Sequence, residues 1–304
     1  MSVPETSVTT ELWPSLPLDA WRDTYATLHM WTQMVGKTRL ALAPPENHWW
    51  HVTLYLTARG LTTGPMPYGR FTFQVDFDFL DHRLVVATSE GARKEIALAP
   101  RSVAEFYREY LATLASLGIQ VHLWPMPCEV KDPIRFTEDR QHAAYDARYA
   151  NRFWRILVQV DEVLRAFRGR FLGKTSPVHF FWGSFDLATT RFNGERAEKR
   201  PELDRMMQEA YSHKVISAGF WPGSWAVQET AFYAYAAPEP PGFPNAAVQP
   251  SAAYYQPVMK EFILPYEAVR TAPAPAAALR AFLESTYNAA ADLARWDRAN
   301  LERS

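Results

Sequence analysis

Ser176-Pro177-Val178-His179-Phe180-Phe181-Trp182-Gly183-Ser184-Phe185-Asp186 is the stretch on which the reading of this chain turns. It sets Phe180, Phe181, Trp182 and Phe185 beside one histidine, one serine and one carboxylate within a strand's length. Burying an acid among so many aromatic rings is costly unless it has a partner or a chemical task. Strict alternation places Ser184 and Asp186 on the same face as Phe180 and Trp182, which is the apolar one. A β-bulge at Gly183 repairs the pattern, because one extra residue flips everything beyond it. Phe180, Trp182, Phe185 and Leu187 then form the core face, and His179, Phe181, Ser184 and Asp186 share the other.

Working outward, Phe153, Ile156, Val160, Val163, Phe167 and Phe171 give the preceding segment the three/four spacing of a helix. The same spacing occurs 128 residues earlier at Tyr25, Leu28, Thr32 and Val35, and His51 stands 128 residues before His179. Residues 49–57 alternate as a strand, with His51, Thr53, Tyr55 and Thr57 on one side. Phe71 to Phe79 alternates aromatic with acidic residues, and a hairpin turns at Ser89-Glu90-Gly91. Ser102 with Glu105 opens a helix that Gly118 stops, and a short strand follows over residues 120–124. In the second half, strands are expected from His213 to Phe220 and from Ala231 to Ala236. The sequence therefore reads as α+β, an internal duplication of helix–four antiparallel strands–helix halves of about 130–160 residues packed into one body. Residues 1–15 form a flexible lead-in, 16–130 the first half, 131–150 a linker, and 151–298 the second half, with long loops at 191–208 and 237–257.

Composition narrows the class. Of 304 residues, 48% are hydrophobic and 14% aromatic, which requires a folded core. Net charge is −1 with scattered basic residues, so a nucleic-acid partner is not expected. No window approaches the roughly 20 apolar residues of a membrane span, and residues 1–10 read as neither signal peptide nor anchor. The single cysteine, Cys128, excludes an internal disulfide and suits a cytoplasmic setting.

The candidate chemistry lies on the polar strand faces. His51, His179 and His213 begin predicted strands, with Asp186 and Glu209 near them in sequence, so a divalent metal held by the three histidines is one expectation. No H-E-x-x-H spacing supports it, and the ordinary fate of such histidines is a hydrogen bond at a strand end. Asp186 is a candidate acid–base group and Ser184 a candidate nucleophile, although Gly183-Ser184-Phe185 lacks the G-x-S-x-G elbow. The ordinary structural reading is a salt bridge from Asp186 to Arg59 or Arg191. His179, Asp186, His213 and Ser184 are thus the catalytic candidates. His51, Trp50, Tyr55, Arg59, Trp182, Trp221 and Glu209 are the ligand-binding ones. Gly173-Lys174-Thr175-Ser176 lacks the upstream glycine-rich turn of a phosphate loop. Trp49, Trp50, Trp182, Phe220, Trp221 and Trp225 line either a pocket or the core.

Four segments carry a resemblance: Thr27-Leu28-His29-Met30-Trp31-Thr32-Gln33, Asn47-His48-Trp49-Trp50-His51-Val52-Thr53-Leu54-Tyr55, the stretch at 176–186, and Glu209-Ala210-Tyr211-Ser212-His213. Together they resemble a bacterial family known as domain of unknown function 5996, over about residues 16–296. The resemblance implies a single folded unit and brings no activity, cofactor or catalytic residue with it. Two functions fit the residues: an enzyme acting on a small molecule at a His/Asp-lined pocket, or a non-catalytic ligand-binding or scaffold protein gripping its ligand with aromatic rings. Oligomeric state is open.

Overall fold

The computed structural model describes residues 11–223 and 227–303. Chain order begins with α1 (Leu18–Leu42), a 3₁₀ segment (Asn47–Val52), β1 (Tyr55–Leu56), β2 (Gly60–Thr62) and β3 (Met66–Tyr68). β4 (Phe71–Asp78), β5 (Arg83–Thr88), β6 (Arg93–Ala97) and α2 (Val103–Ser116) complete the first half. The second half runs α3 (Ala147–Gly169), β7 (His179–Phe181), β8 (Asp186–Arg196), α4 (Arg205–Ala210), β9 (His213–Trp221) and β10 (Ala231–Ala237). It ends with β11 (Tyr254–Gln256), β12 (Glu261–Pro265), α5 (Tyr266–Arg270), α6 (Pro275–Leu293) and α7 (Arg298–Leu301). The fold is α+β, with two antiparallel six-stranded sheets.

The first sheet runs β1-β2-β4-β5-β6 with β3 on β4, and the second runs β11-β12-β10-β9-β8-β7. Their edge strands meet at one place. Leu54 and Phe180 exchange both backbone hydrogen bonds across the seam. On the inner side, Phe180, Leu187, Phe220 and Phe232 are buried under α3 and α6. α3 forms because its buried residues recur at helical spacing and Asp146 caps it, accepting from the Arg148 and Tyr149 N–H groups. The expected Ser102–Glu105 capping box opens α2. α1 is buried along nearly all of its second half, from Thr27 to Arg39, so polar His29, Gln33 and Lys37 must find partners inside the protein.

Several expectations are corrected. Residues 49–57 are mostly not a strand: His48 and Trp49 take positive φ within the 3₁₀ segment, and only Tyr55 and Leu56 pair as β1. His51 and His179 are therefore not equivalent, since one lies in the 3₁₀ turn and the other in β7, and the duplication is not confirmed. Residues 120–124 carry no strand. The 131–150 segment is packed, with Phe136 and Asp139 at 0% exposure. Within 191–208, β8 continues to Arg196 and α4 begins, while 237–257 contains a 3₁₀ turn (Phe243–Asn245) and β11. Of the lead-in, residues 1–10 lie outside the described residues, whereas Trp13 is buried in the main core. Among the described residues no helix is long and apolar enough to cross a membrane.

Candidate functional site

The stretch at 176–186 is a β-hairpin. Phe181 pairs with Asp186, and residues 182–185 form the turn, with Phe185 at φ 59°. The bulge expected at Gly183 is not formed, because the chain reverses there instead of continuing as one strand. The division of faces still matches: Phe180, Trp182, Phe185 and Leu187 are buried in the main core, and His179 and Asp186 share the outer face. Pairing across the hairpin does what the bulge was invoked to do.

α1 holds the turn in place. The ring of Trp182 lies so close to Gly36 that a Cβ there would stand 2.2 Å from it, and its Nε1–H donates to Val52 O at 2.6 Å. His29 Nε2–H donates to Gly183 O at 2.8 Å, and burial pushes the imidazole down to about 4, so it stays neutral. One turn on, Gln33 Nε2 donates to Cys128 O at 2.8 Å and its Oε1 accepts from Cys128 N at 2.9 Å, fixing the segment that carries Glu129.

Asp186 is 6% exposed and forms no ion pair with any described residue; the Ser184 and Tyr233 hydroxyls both donate to it. Arg59 is instead bound by Asp78 and Asp81. Arg191 is packed on Phe167 and Tyr287 and donates to Phe167 O, so neither expected salt bridge forms. Desolvation raises Asp186 to about 6, against the lowering effect of its two hydroxyl donors. Tyr233 reaches it across Gly219: a Cβ on Gly219 would stand 2.5 Å from the tyrosine oxygen. Burial, then the charge of Asp186, raises Glu261 to about 7. Glu129 is raised to about 7 by the same causes and by Asp204, but it is an exposed residue, so solvent weakens the consequence of its shift.

Antiparallel partners share a face, so β8 to β12 lay out an outer face that mixes polar and apolar groups and is largely buried, with Asp186 at 6%, Ser217 at 3% and Tyr233 at 9% exposure. Thr190, Ser217 and Tyr235 form one row across it, with Thr190 Oγ1 and Ser217 Oγ 2.9 Å apart. Tyr235 Oη is 2.8 Å from Tyr211 Oη, and the rings of Tyr233 and Tyr235 stack at 6.2 Å. Trp221 flanks Tyr233 in a small apolar cluster with Ala188, Val227 and Ile263. Sequence reasoning missed Tyr233, Tyr235, Glu261 and Glu129. The first two had a signal, because Ala231-Phe232-Tyr233-Ala234-Tyr235 places both tyrosines on one strand face amid small residues.

The remaining candidates scatter. His179, 0% exposed, has its Nε2 3.4 Å from Tyr55 Oη and its ring against Trp50 and Phe181. Its Nδ1 has no partner among the described residues. His213 lies beside His48, whose Nε2 accepts from Lys174 Nζ at 2.7 Å and whose Nδ1 donates to Ala210 O at 3.1 Å. His51 Nδ1 accepts from Glu46 N, and Glu209 is exposed on α4. The three histidines therefore do not converge, and among the described residues no three His, Cys, Asp or Glu side chains are grouped to hold a metal. Trp182 is a structural clamp. Phe220 is core, and Trp225 lies outside the described residues.

His48, Trp49, Glu129, Phe185 and Lys260 all take positive φ, a costly conformation for residues with side chains. One surface hollow, ≈ 610 Å³ beside α2, is an open dish of charges already engaged with one another, such as Arg101 with Glu109, and lies on another element. A second, ≈ 500 Å³, lies along the first sheet and is lined by Thr57, Arg59, Thr62, Gly64 and Asp76 among others.

Fold and site define an α+β protein with a carboxylate- and tyrosine-bearing outer sheet face. The chain belongs to the Family of unknown function (DUF5996), whose model matches residues 13–303. No curated protein and no solved structure matched it.

Proposed function

We propose that this protein is a small-molecule enzyme whose acid–base group is Asp186, worked from the outer face of the second sheet. One observation carries the reading: a carboxylate buried without a cation, fixed by two hydroxyls and raised to about 6. An acid poised that near neutrality exchanges protons at useful rates in both directions. Ser184 and Tyr233 orient it, and Glu261 supplies a second carboxyl on the same face. His179 and His213 stand apart from this pair as flanking groups. The setting we assign is the bacterial cytoplasm, with a small molecule as partner.

A second reading, non-catalytic binding, draws support from the stacked tyrosines and Trp221 on that face, a surface suited to gripping a flat or apolar ligand. One experiment separates the two. The protein and its Asp186→Asn variant are incubated with a bacterial small-metabolite extract, followed by mass spectrometry. The enzyme reading expects a metabolite consumed by the wild type and spared by the variant. Metabolites that are retained but unchanged by both proteins would favour binding, and identical consumption by both would sink the role of Asp186.

A further inference from the structure

At the seam between the sheets the side chains have the opposite character. Leu54 pairs with Phe180, so their neighbours Tyr55 and His179 face each other on the outer side. Arg39 comes in from α1, 9% exposed, its guanidinium over the Tyr55 ring at 5.2 Å. Its Nε donates to His51 O at 2.6 Å, but its two terminal nitrogens bond no described residue and it forms no ion pair with one. A buried guanidinium normally finds a carboxylate, since its charge cannot be discarded. Arg168 is close enough for its charge, like that of Arg39, to disfavour protonation of His179, and its own Nε is taken by Ser176 O. Assigned with the Tyr55 hydroxyl donating to Nε2, the Tyr55–His179 contact puts the imidazole proton on Nδ1, which is buried and has no partner among the described residues.

Two guanidinium groups thus act on His179 with no acid bonded to either among the described residues; Glu46 is near enough for Arg39 to feel its charge but does not pair with it. We infer that this seam binds the oxyanion of a small molecule, a carboxylate or a phosphate, through Arg39 and the His179 N–H, with Tyr55 holding the imidazole in that tautomer. The planar fork of Arg39 suits two parallel bonds to such a group, and the His179 N–H supplies a further donor. Arg39 Nη1 lies 3.5 Å from where a Cβ of Gly64 would be, and Gly64 borders the ≈ 500 Å³ hollow along the first sheet. Of the acids in that hollow, Asp78 is held by Arg59 and Asp76 accepts from Gln74. The site stands independently of proton transfer by Asp186.

The test titrates the full chain calorimetrically with inorganic phosphate and, separately, with acetate, at constant ionic strength set by chloride. Saturable binding of at least one, with a dissociation constant on the order of 1 mM, is expected. The stronger of the two identifies the headgroup. Arg39→Gln should weaken binding at least tenfold and Tyr55→Phe by a smaller factor, while Asp186→Asn should leave it intact. Should Arg39→Gln fail to fold, the ¹⁵N resonances of His179 in the wild type serve instead, and Nδ1 should shift as phosphate is added. No saturable heat with either anion, undiminished binding in Arg39→Gln, or a His179 resonance indifferent to phosphate would each overturn the inference.

Discussion

Leu54 and Phe180 donate to each other's carbonyls at 2.9 Å in both directions, and through this one bridge the edges of the two sheets are tied. Phe180 also fills the core beneath the joint at 0% exposure. Phe180→Ala should therefore cost about 3–5 kcal/mol, the usual range for emptying a buried aromatic site. Urea denaturation should show a lower midpoint; a loss under about 1 kcal/mol would mean that the seam collapses freely around the gap.

Gly36 and Trp182 make a second, tighter joint. A methyl group at Gly36 would occupy space the indole already fills, so Gly36→Ala should destabilise by about 1–3 kcal/mol or more. Gly169 is a contrasting control, because nothing lies within 4 Å of its Cβ direction. Gly169→Ala should be neutral or stabilising by up to about 1 kcal/mol. Thermal melts of the two variants should move in opposite directions or differ by several degrees.

The acidity of Asp186 has a signed consequence for stability. Its folded pKa of about 6 lies above the ordinary 3.8, so the folded state binds its proton more tightly. Stability from this group is present below about pH 4 and lost as pH rises to about 6, by up to about 3 kcal/mol. Glu261, raised to about 7, extends the decline upward. Asp186→Asn should flatten the pH profile and exceed the wild type in melting temperature at pH 7.5 but not at pH 4. A variant less stable at both values would show that the carboxylate contributes more through its hydroxyl bonds than it costs.

Tyr233→Phe removes one of the two donors that hold the charged form of Asp186. The Asp186 carboxyl should then titrate above its wild-type value, readable by carbon NMR of the labelled side chain. An unchanged midpoint would mean that the tyrosine orients the acid without tuning it.

Much of the architecture was legible because hydrophobic spacing is a strong signal. The α3 face, the Ser102 cap, the hairpin after β5 and the pair β9 and β10 all announce themselves in sequence. What failed was local and physical. Residues 49–57 alternate like a strand, yet positive φ at His48 and Trp49 is set by tertiary contacts that no pattern encodes. At Gly183 the alternation required some break, and either a bulge or a reversal satisfied it; the chain reverses over residues 182–185, with the positive φ taken by Phe185. Asp186 was singled out by its improbable surroundings, but its partners were not, because Tyr233 and Glu261 approach it from strands 47 and 75 residues away in the chain. The histidines were grouped by sequence pattern alone: His179 and His213 begin strands, whereas His51 lies within the 3₁₀ segment, and the three sit in different parts of the fold.

The bare backbone at Gly219 reaches further than packing. Because the Tyr233 phenol crosses that position to touch Asp186, the acid strength of the site is set in part by an atom that is absent from the neighbouring strand. A change from glycine to alanine adds one methyl carbon that would press on the phenol and on Leu187 O, and so would shift the pH at which the carboxyl titrates. The titration of this carboxyl is thus tuned through a residue whose side chain has nothing to donate, accept or ionise.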